Sequence, residues 1–467
     1  MVFSNLFFLY VFLPLNVILY FWAKNNHVRN VIMVVFSLVF YAWGEPVWII
    51  LLVLTALLNW ALGLVIADRR ATPDARLALI IAIAIDLLLL GIFKYTGFLY
   101  ENINGIFGTS LAPPGFTLPI GISFYTFQII SYMVDVYRGD VEEQRSYLKF
   151  LMYVTMYHQL VAGPIVRYKN IAYEIDNRVV DIEDIWGGFC RFCVGLTKKV
   201  VVANIAGGLA GRYLDGDLSA MSSMGVLFGM TMFAIQIYYD FSAYSDMAIG
   251  MGRMFGFHYD ENFCYPYISV SITDFWRRWH ISLSTFFRDY VYIPLGGKYS
   301  HQLRNICVVW LLTGLWHGAS WNFVLWGAYY GALLILEKLY LHQILVQLPK
   351  AVGLVYSWVV VFFGWSLFYY TDMKQLGAFL TALFGGGAGF IDPGLGTVIL
   401  NNLVWIAVSV AFCAPIVPMV RKKVAHLPQQ RQEVLSVVQA GGCILLLLVS
   451  TALLVGQSYN PFLYFRF

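Results

Sequence analysis

Long apolar runs separated by short polar segments dominate the chain. Each run is roughly as long as the about 20 residues that an α-helix needs to cross a bilayer, or longer. The pattern therefore predicts an all-α polytopic membrane protein with about 11 to 13 membrane helices. The runs lie near residues 3–22, 28–43, 47–66, 77–93, 118–136, 186–210, 224–250, 305–336, 351–370, 396–420 and 435–456.

Composition agrees with this class, because 60% of the residues are hydrophobic and only 12% are charged. Charged residues make up about 25% of soluble proteins. We predict a membrane core over residues 1–434, and a last membrane helix with a C-terminal FLYFRF tail over residues 435–467. No basic residue precedes the first run, which is therefore expected to be a retained helix rather than a signal peptide.

The basic residues of the polar segments indicate which side each segment faces. Basic loops stay in the cytoplasm, which predicts that the N-terminus and the C-terminus are both extracytoplasmic. The basic groups are Lys24 and Arg29, then Arg69, Arg70 and Arg76, then Arg421, Lys422, Lys423 and Arg431.

Polar residues interrupt the apolar run QIYYDFSAYSDMAIGMGRMFGF. Asp240 and Tyr244 are four residues apart, and Asp246 follows, so the polar groups cover much of one helix surface. Strongly polar side chains are costly in lipid and must face protein or water. We predict Asp240, Tyr244 and Asp246 to bind donor or substrate; a polar packing network between helices is the alternative.

The segment SITDFWRRWHISLSTFFRDYVYIPLGG combines basic and aromatic residues. Ser271 followed by Asp274 resembles a helix capping box. Its aromatic residues recur at helical spacing, which is typical of a helix that lies along the membrane interface. Arg277 and Arg278 suit the phosphates of a donor. Interfacial anchoring explains most of this composition, but it does not explain His280.

A run without Asp, Glu, Lys or Arg extends from residue 305 to 336 and contains His317 near its middle. A straight helix of that length would measure roughly 48 Å, against a hydrocarbon core of about 30 Å. We therefore predict a break at residues 318–322, with His317 at a helix end. Trp316 and Asn322, close to it, are predicted to bind donor or substrate. Neutral imidazole is a natural general base for a hydroxyl group, although a buried histidine is more often a packing residue.

Zinc binding is the competing role for the histidines. It requires three or four protein ligands, and no other histidine is spaced four residues from His280 or His317. We predict no metal site.

Three motifs resemble the membrane-bound O-acyltransferase family, in particular its bacterial branch of alginate and peptidoglycan O-acetylation proteins and teichoic acid D-alanyl transfer proteins. They are YYDFSAYSDMAIGMGRMFGF, DFWRRWHISLSTFFRDYVYIPLGG and LTGLWHGASWNFVLWG, and GISFYTFQIISYMVDVYRG and YHQLVAGPIVRY resemble earlier segments. The resemblance implies helices around a central funnel or tunnel. It places His317 at the position of the family's catalytic histidine and His280 at a second, upstream histidine.

The resemblance also implies what the protein does. An acyl group, most simply acetyl from acetyl-CoA or another acyl thioester, passes from the cytoplasm across a bacterial inner membrane to an extracellular or cell-wall polysaccharide. The thioester is a substrate, and no cofactor is expected to be bound. Because the chain has no G-x-S-x-G motif, we expect a separate extracytoplasmic esterase-like partner.

Other functions stay open at this point. D-alanyl transfer to teichoic acid from a carrier-protein thioester is the alternative within the family. A polysaccharide or ion transporter, or a non-catalytic scaffold, would also explain buried polar residues. Nucleic acid is not an expected partner.

The chain ends FLYFRF, an apolar tail with one tyrosine, Tyr464. An aromatic belt at the outer interface would explain such a tail. The resemblance implies a sharper role, because some members of the branch, or a small partner peptide, end in a similar motif whose tyrosine carries the acyl group. We therefore predict Tyr464 to be a catalytic residue that receives the acyl group near His317.

Overall fold

The structure, a computed structural model, describes residues 1–161, 163–456 and 462–463. Every regular element in these ranges is helical. The α-helices are α1 (Leu13–Trp22), α2 (Asn26–Gly44), α3 (Trp48–Asp68), α4 (Pro73–Phe107), α5 (Ile122–Arg138), α6 (Tyr147–Thr155), α7 (Tyr157–Leu160), α8 (Tyr168–Asn177), α9 (Ile182–Thr197), α10 (Asn204–Leu214), α11 (Ser223–Met254), α12 (Ile272–Arg278), α13 (Ile281–Phe287), α14 (Gln302–His317), α15 (Trp321–Leu336), α16 (His342–Gln347), α17 (Lys350–Tyr369), α18 (Met373–Thr381), α19 (Leu395–Asn401), α20 (Leu403–Ala411), α21 (Ile416–Ala425) and α22 (Gln429–Leu454).

Eight helices of the described chain are long and apolar enough to cross a membrane, or nine if the bent pair α20 and α21 forms one span. This confirms the all-α polytopic class. The number is lower than the 11 to 13 crossings predicted, because some apolar runs form shorter helices. The first run gives Phe8–Trp22, the run near 118–136 gives the 17-residue α5, and the run at 305–336 is divided at Gly318.

Helix α11 forms the centre of the molecule, with 67% of its apolar stretch buried. The backbone of the neighbouring helix α9 touches the backbone of α11, because two glycines of α9 leave no side chain between the helices. A Cβ atom on Gly188 would lie 2.5 Å from the carbonyl oxygen of Gly250, and one on Gly195 would lie 2.8 Å from that of Ala243. The polar residues of α11 are therefore surrounded by protein.

Helices α14 and α15 form a hairpin whose tip lies at residues 318–320, as the sequence predicts. Gly318 has extended backbone and ends α14 directly after His317. The two helices touch through glycines: a Cβ atom on Gly314 would lie 2.3 Å from the carbonyl oxygen of Phe323. The hairpin thus places His317 at the end of a rigid helix pair.

The segment predicted as one interfacial helix from Ser271 forms two helices, α12 and α13. Ser271 caps α12 by accepting a hydrogen bond from the backbone N–H of Asp274 at 3.0 Å, as predicted. The chain turns at His280, whose φ of 45° is left-handed. The aromatic residues Trp276 and Trp279 are buried in the protein. Both pack against other tryptophans, Trp276 against Trp310 and Trp326, and Trp279 against Trp365.

The first and last helical regions lie side by side. The hydroxyl groups of Tyr10 and Thr451 are 2.6 Å apart. The ring of Tyr244 in α11 stacks on Phe3, with ring centroids 4.6 Å apart, and it also contacts Phe462 edge-on at 4.9 Å. Residues near both chain ends therefore meet at the same part of α11.

Candidate active site

His317 is the last residue of α14 and is buried, with 6% of its surface exposed. Its imidazole lies in an aromatic enclosure. The ring centroids of Trp316, Trp326 and Phe368 lie 5.0, 4.9 and 5.3 Å from that of His317, all in edge-on arrangements. Such surroundings hold the orientation of the ring.

Two residues of α4 hold the end of the helix that carries His317. The Lys94 ammonium donates a hydrogen bond to the carbonyl oxygen of Trp316, and the Tyr95 hydroxyl donates one to that of Leu315 at 2.7 Å. The last carbonyls of a helix have no partner within the helix, and a cation there is favourable. Lys94 and Tyr95 thus fix the backbone next to His317.

Lys94 is not among the residues predicted from the sequence, because it directly follows the apolar run 77–93. The signal was a lysine within a continuous helical pattern, since α4 extends to Phe107. A charged residue in such a helix is a functional candidate.

A cavity of about 240 Å³ contains both candidate histidines in its lining. Arg277, Arg288 and Tyr292 also line this cavity. The remaining lining residues are Thr273, Trp276, Trp279, Leu283, Ser284, Phe287, Ile306, Val309, Trp310, Thr313 and Leu334. The cavity therefore links a basic region to His317 along a mostly apolar wall.

Hydrogen bonds to Asn262 orient His280, which is buried at the turn between α12 and α13. Nδ1 of His280 lies 3.2 Å from Oδ1 of Asn262. The amide group of Asn262 is itself held, because its Nδ2 donates to the Ser245 hydroxyl at 3.0 Å. An amide oxygen only accepts, so Nδ1 of His280 carries the proton and Nε2 the lone pair. No pattern in the sequence points to Asn262.

The two candidate arginines differ in their surroundings. Arg277 is exposed and lines the cavity. Arg278 donates from Nε to Asp274 at 2.9 Å and from Nη1 to the carbonyl oxygen of Cys264 at 3.3 Å. Only Arg277 of this pair therefore has its side chain in the cavity lining.

A second, much smaller cavity lies on another side of His317. Its volume is about 10 Å³, close to what the centre of one water molecule requires. Asp240, Trp279, His317 and Leu463 are among its lining residues, together with Ile237, Phe241, Trp326, Trp365 and Phe368. His317 and Trp279 line both cavities, so His317 stands between the large cavity and the C-terminal segment.

Asp240 contacts the C-terminal segment directly. Its Oδ1 accepts a hydrogen bond from the Lys199 ammonium at 2.7 Å, and its Oδ2 accepts one from the backbone N–H of Leu463 at 2.6 Å. The preceding Phe462 is buried, with its ring 4.7 Å from the Lys199 ammonium. Tyr464, the predicted acyl carrier, lies outside the described residues.

Asp246 lies in a different cluster from Asp240 and Tyr244. Its carboxylate accepts hydrogen bonds from Lys198 at 2.6 Å and from Arg191 at 2.9 and 3.1 Å, and Arg191 also binds Glu261. Asp246 lines neither cavity. Its contacts are those of the alternative that the sequence left open, a polar network between helices.

Two further candidates flank His317 in the chain. The ring of Trp316 lies between the two histidines, with centroids 5.0 Å from His317 and 5.8 Å from His280. Asn322 is fully buried, and its Nδ2 donates to the carbonyl oxygen of Leu367 at 3.1 Å. Asn322 thus attaches the hairpin to α17 rather than lining either cavity. Within the described residues, no three His, Cys, Asp or Glu side chains cluster closely enough to hold a metal ion.

Comparison with known proteins identifies the family. The family model described as "MBOAT, membrane-bound O-acyltransferase family" matches residues 137–379, which contain both histidines. The "Probable alginate O-acetylase AlgI" of Azotobacter vinelandii is 35% identical over 503 aligned residues that cover 100% of both chains. The chain belongs to the membrane-bound O-acyltransferase family and is an O-acyltransferase.

Two further relatives are similar to this chain at lower sequence identity. The "Peptidoglycan O-acetyltransferase" of Helicobacter pylori is 29% identical over 517 aligned residues, which cover 100% of this chain and 98% of that protein. The "Teichoic acid D-alanyltransferase" of Bacillus subtilis is 27% identical over 231 residues, which cover 46% of this chain and 58% of that protein.

Proposed function

We propose that this enzyme takes an acetyl group from a cytoplasmic acyl thioester, acetyl-CoA, and passes it across a bacterial cell membrane for O-acetylation of an extracellular or cell-wall polysaccharide. One observation carries the proposal. His317 stands between a cavity that reaches basic residues and a small space that the C-terminal segment lines at Leu463. A group that reacts at His317 therefore has a donor on one side and an acceptor on the other.

The large cavity suits the acyl arm of the donor. Its volume of about 240 Å³ is below the about 300 to 1,000 Å³ of pockets that hold drug-sized ligands. It has room for the thioester end, while the nucleotide end stays outside. Arg277 is exposed at its lining and is suited to bind the phosphates there. We propose that the basic residues of the cavity face the cytoplasm and that both chain ends are extracytoplasmic.

His317 acts as the general base in the first transfer. The acceptor is the phenol of Tyr464, the residue after Leu463. His317 takes the phenolic proton while the phenolic oxygen attacks the thioester carbonyl carbon. The carbon–sulfur bond breaks, the thiolate leaves and takes the proton from His317, and the acetyl group remains on Tyr464 as an aryl ester. His280, which also lines the large cavity, positions the donor there.

The second transfer moves the acetyl group to the polysaccharide. A phenol with a pKa near 10 leaves more readily than an aliphatic alcohol, so transfer from Tyr464 to a sugar hydroxyl is downhill. A sugar oxygen attacks the ester carbonyl, and the phenol is released with the proton of that hydroxyl. We assign this step to a separate extracytoplasmic esterase-like partner, since the chain has no G-x-S-x-G motif.

The names of the relatives favour acetyl over D-alanyl as the transferred group. The O-acetyl transfer relatives of Azotobacter vinelandii and Helicobacter pylori align over the whole chain, whereas the teichoic acid D-alanyltransferase of Bacillus subtilis aligns over 46% of it. Alginate and peptidoglycan are the acceptors in the names of those relatives. A related polysaccharide is the acceptor that we propose here.

Transfer of radiolabelled acetyl from acetyl-CoA by the purified protein in lipid nanodiscs tests this function. The variant His317→Ala should lose about 10²- to 10⁴-fold in rate, the usual contribution of a general base. His342→Ala removes an exposed histidine that lines neither cavity and serves as the matched control, with unchanged rate. An ion transporter or a scaffold would show no transfer in any variant. Wild-type rates in His317→Ala would remove the catalytic assignment.

A further inference from the structure

The Lys199–Asp240 pair is the most deeply buried ion pair in the described part of the chain, with 4% and 3% of the two side chains exposed. We propose that this pair is the binding site for the chain's own C-terminal segment, and that it sets the position at which the segment enters the site beside His317. This inference rests on the proposed function, because it explains how a reactive residue that follows Leu463 is delivered to His317.

Asp240 divides its two oxygens between two partners. One oxygen accepts from the Lys199 ammonium at 2.7 Å, and the other accepts from the backbone N–H of Leu463 at 2.6 Å. Leu463 lies 223 positions further along the chain than Asp240. A hydrogen bond to a carboxylate is stronger than one between neutral groups. The carboxylate therefore binds one specific backbone position of the segment, whatever its side chain is.

The side chain before that position is recognised separately. The ring of Phe462 is 1% exposed. It lies 4.7 Å from the Lys199 ammonium and meets the Tyr244 ring edge-on at 4.9 Å. A cation near an aromatic ring is attracted to the ring's electrons, more strongly when water is excluded. Lys199 thus forms the ion pair with Asp240 and, together with the Tyr244 ring, the slot that holds the Phe462 ring.

A purely structural role explains this arrangement poorly. Removing two charges from water costs free energy that their attraction often fails to recover, and apolar replacement of a buried pair is often neutral or stabilising. The pair lies where α11 faces the π-helical turn Lys198–Ala203, and such turns are frequent at functional sites. Binding of a peptide segment is a function that an apolar pair of equal volume would not provide.

The consequence is a fixed register between the tail and His317. Phe462 is held by its ring and Leu463 by its N–H, and Leu463 also lines the small cavity with His317. Two successive residues are therefore fixed directly before the predicted acyl carrier. A shift by one residue would move the phenylalanine out of its slot.

Hydrogen–deuterium exchange of the C-terminal peptide in the full-length protein, read by mass spectrometry, tests the binding site. Two double variants form a matched pair without charge: Lys199→Met with Asp240→Asn, and Lys199→Met with Asp240→Leu. Asn keeps an oxygen that accepts from the N–H of Leu463, and Leu does not. The Leu double variant should show exchange that is faster by about tenfold or more, the effect of one lost hydrogen bond to a charged group. The exchange rate of the Asn double variant should lie between those of the Leu double variant and the wild type.

Asp184→Asn, which breaks the more exposed Arg253–Asp184 pair, is the control and should leave exchange in the C-terminal peptide unchanged. Thermal unfolding of each variant shows whether it is folded. Wild-type protection of the C-terminal peptide in a folded Leu double variant would overturn the inference. The measurement requires no catalysis, so a Tyr464 that carries no acetyl group would refute the proposed function and leave the binding site standing.

Discussion

Lys94 donates a hydrogen bond to the backbone carbonyl oxygen of Trp316, the residue directly before His317. The same ammonium lies 3.4 Å from the Ser123 hydroxyl and 5.8 Å from the centre of the Trp316 ring. The Lys94 side chain on α4 therefore contacts both the backbone and the ring of Trp316 at the end of α14. Lys94 acts through the position of His317 and is a positioning residue.

The variant Lys94→Met should lower the turnover number of acetyl transfer while the KM for acetyl-CoA stays close to the wild-type value. The reason is that a buried carbonyl loses a charged donor, which costs about 1 to 3 kcal/mol, next to the reacting group and away from the donor phosphates. Steady-state kinetics in nanodiscs, with the extracytoplasmic partner and a polysaccharide acceptor added, measures both quantities. Lys94→Arg keeps a cationic donor and should recover most of the rate. Equal rates for the Met variant and the wild type would show that α14 holds His317 without Lys94.

The all-α membrane class and the helix end at His317 could be predicted from the sequence, because both depend on local pattern. The absence of charge from residue 305 to 336 indicated one overlong run, and the structure breaks it at Gly318. Contacts such as Lys94 with Trp316 and Lys199 with Asp240 join positions 222 and 41 residues apart. No local pattern specifies such pairs. The left-handed turn at His280, which divides a helix pattern, also could not be predicted from the local sequence, since a histidine rarely adopts positive φ.

The neighbouring arginines Arg277 and Arg278 should differ when each is replaced by glutamate. Arg277 lines the donor cavity, so Arg277→Glu should raise the KM for acetyl-CoA by repelling its phosphates. Arg278 is already paired with Asp274, so Arg278→Glu should change this KM less. The difference should shrink at high ionic strength, since exposed charges are screened. An identical KM in both variants and the wild type would reduce Arg277 to a surface residue.

His280→Ala should be milder than His317→Ala and should act mainly on donor binding. Asn262 orients His280 through Nδ1, so Asn262→Ala should reproduce part of the effect. The KM for acetyl-CoA and the turnover number, measured for each variant, separate the two roles. An equal loss of kcat and kcat/KM in His280→Ala would instead assign His280 to the chemical step.

Release of the tail should expose the thioester to water. Leu463 and His317 both line a space of about 10 Å³, which leaves little room for solvent while the segment is bound. The variant Phe462→Ala removes the buried ring and should raise the ratio of acetyl-CoA hydrolysis to acetyl transfer. Free acetate and acetylated product, counted in the same reaction, give this ratio. Phe390→Ala, at an exposed phenylalanine, is the control, and a ratio that stays constant in Phe462→Ala would show that the tail does not exclude water.

Mass spectrometry of the C-terminal peptide after incubation with acetyl-CoA, without the extracytoplasmic partner, tests the central claim most directly. The wild type should carry one acetyl group on Tyr464, and both His317→Ala and Tyr464→Phe should lack it. Tyr464→Phe keeps the ring and nearly all of the apolar area, so its membrane level should equal that of the wild type. An unmodified Tyr464 in a preparation that acetylates polysaccharide once the partner is added, or an equal adduct in His317→Ala, would contradict the relay from His317 to Tyr464.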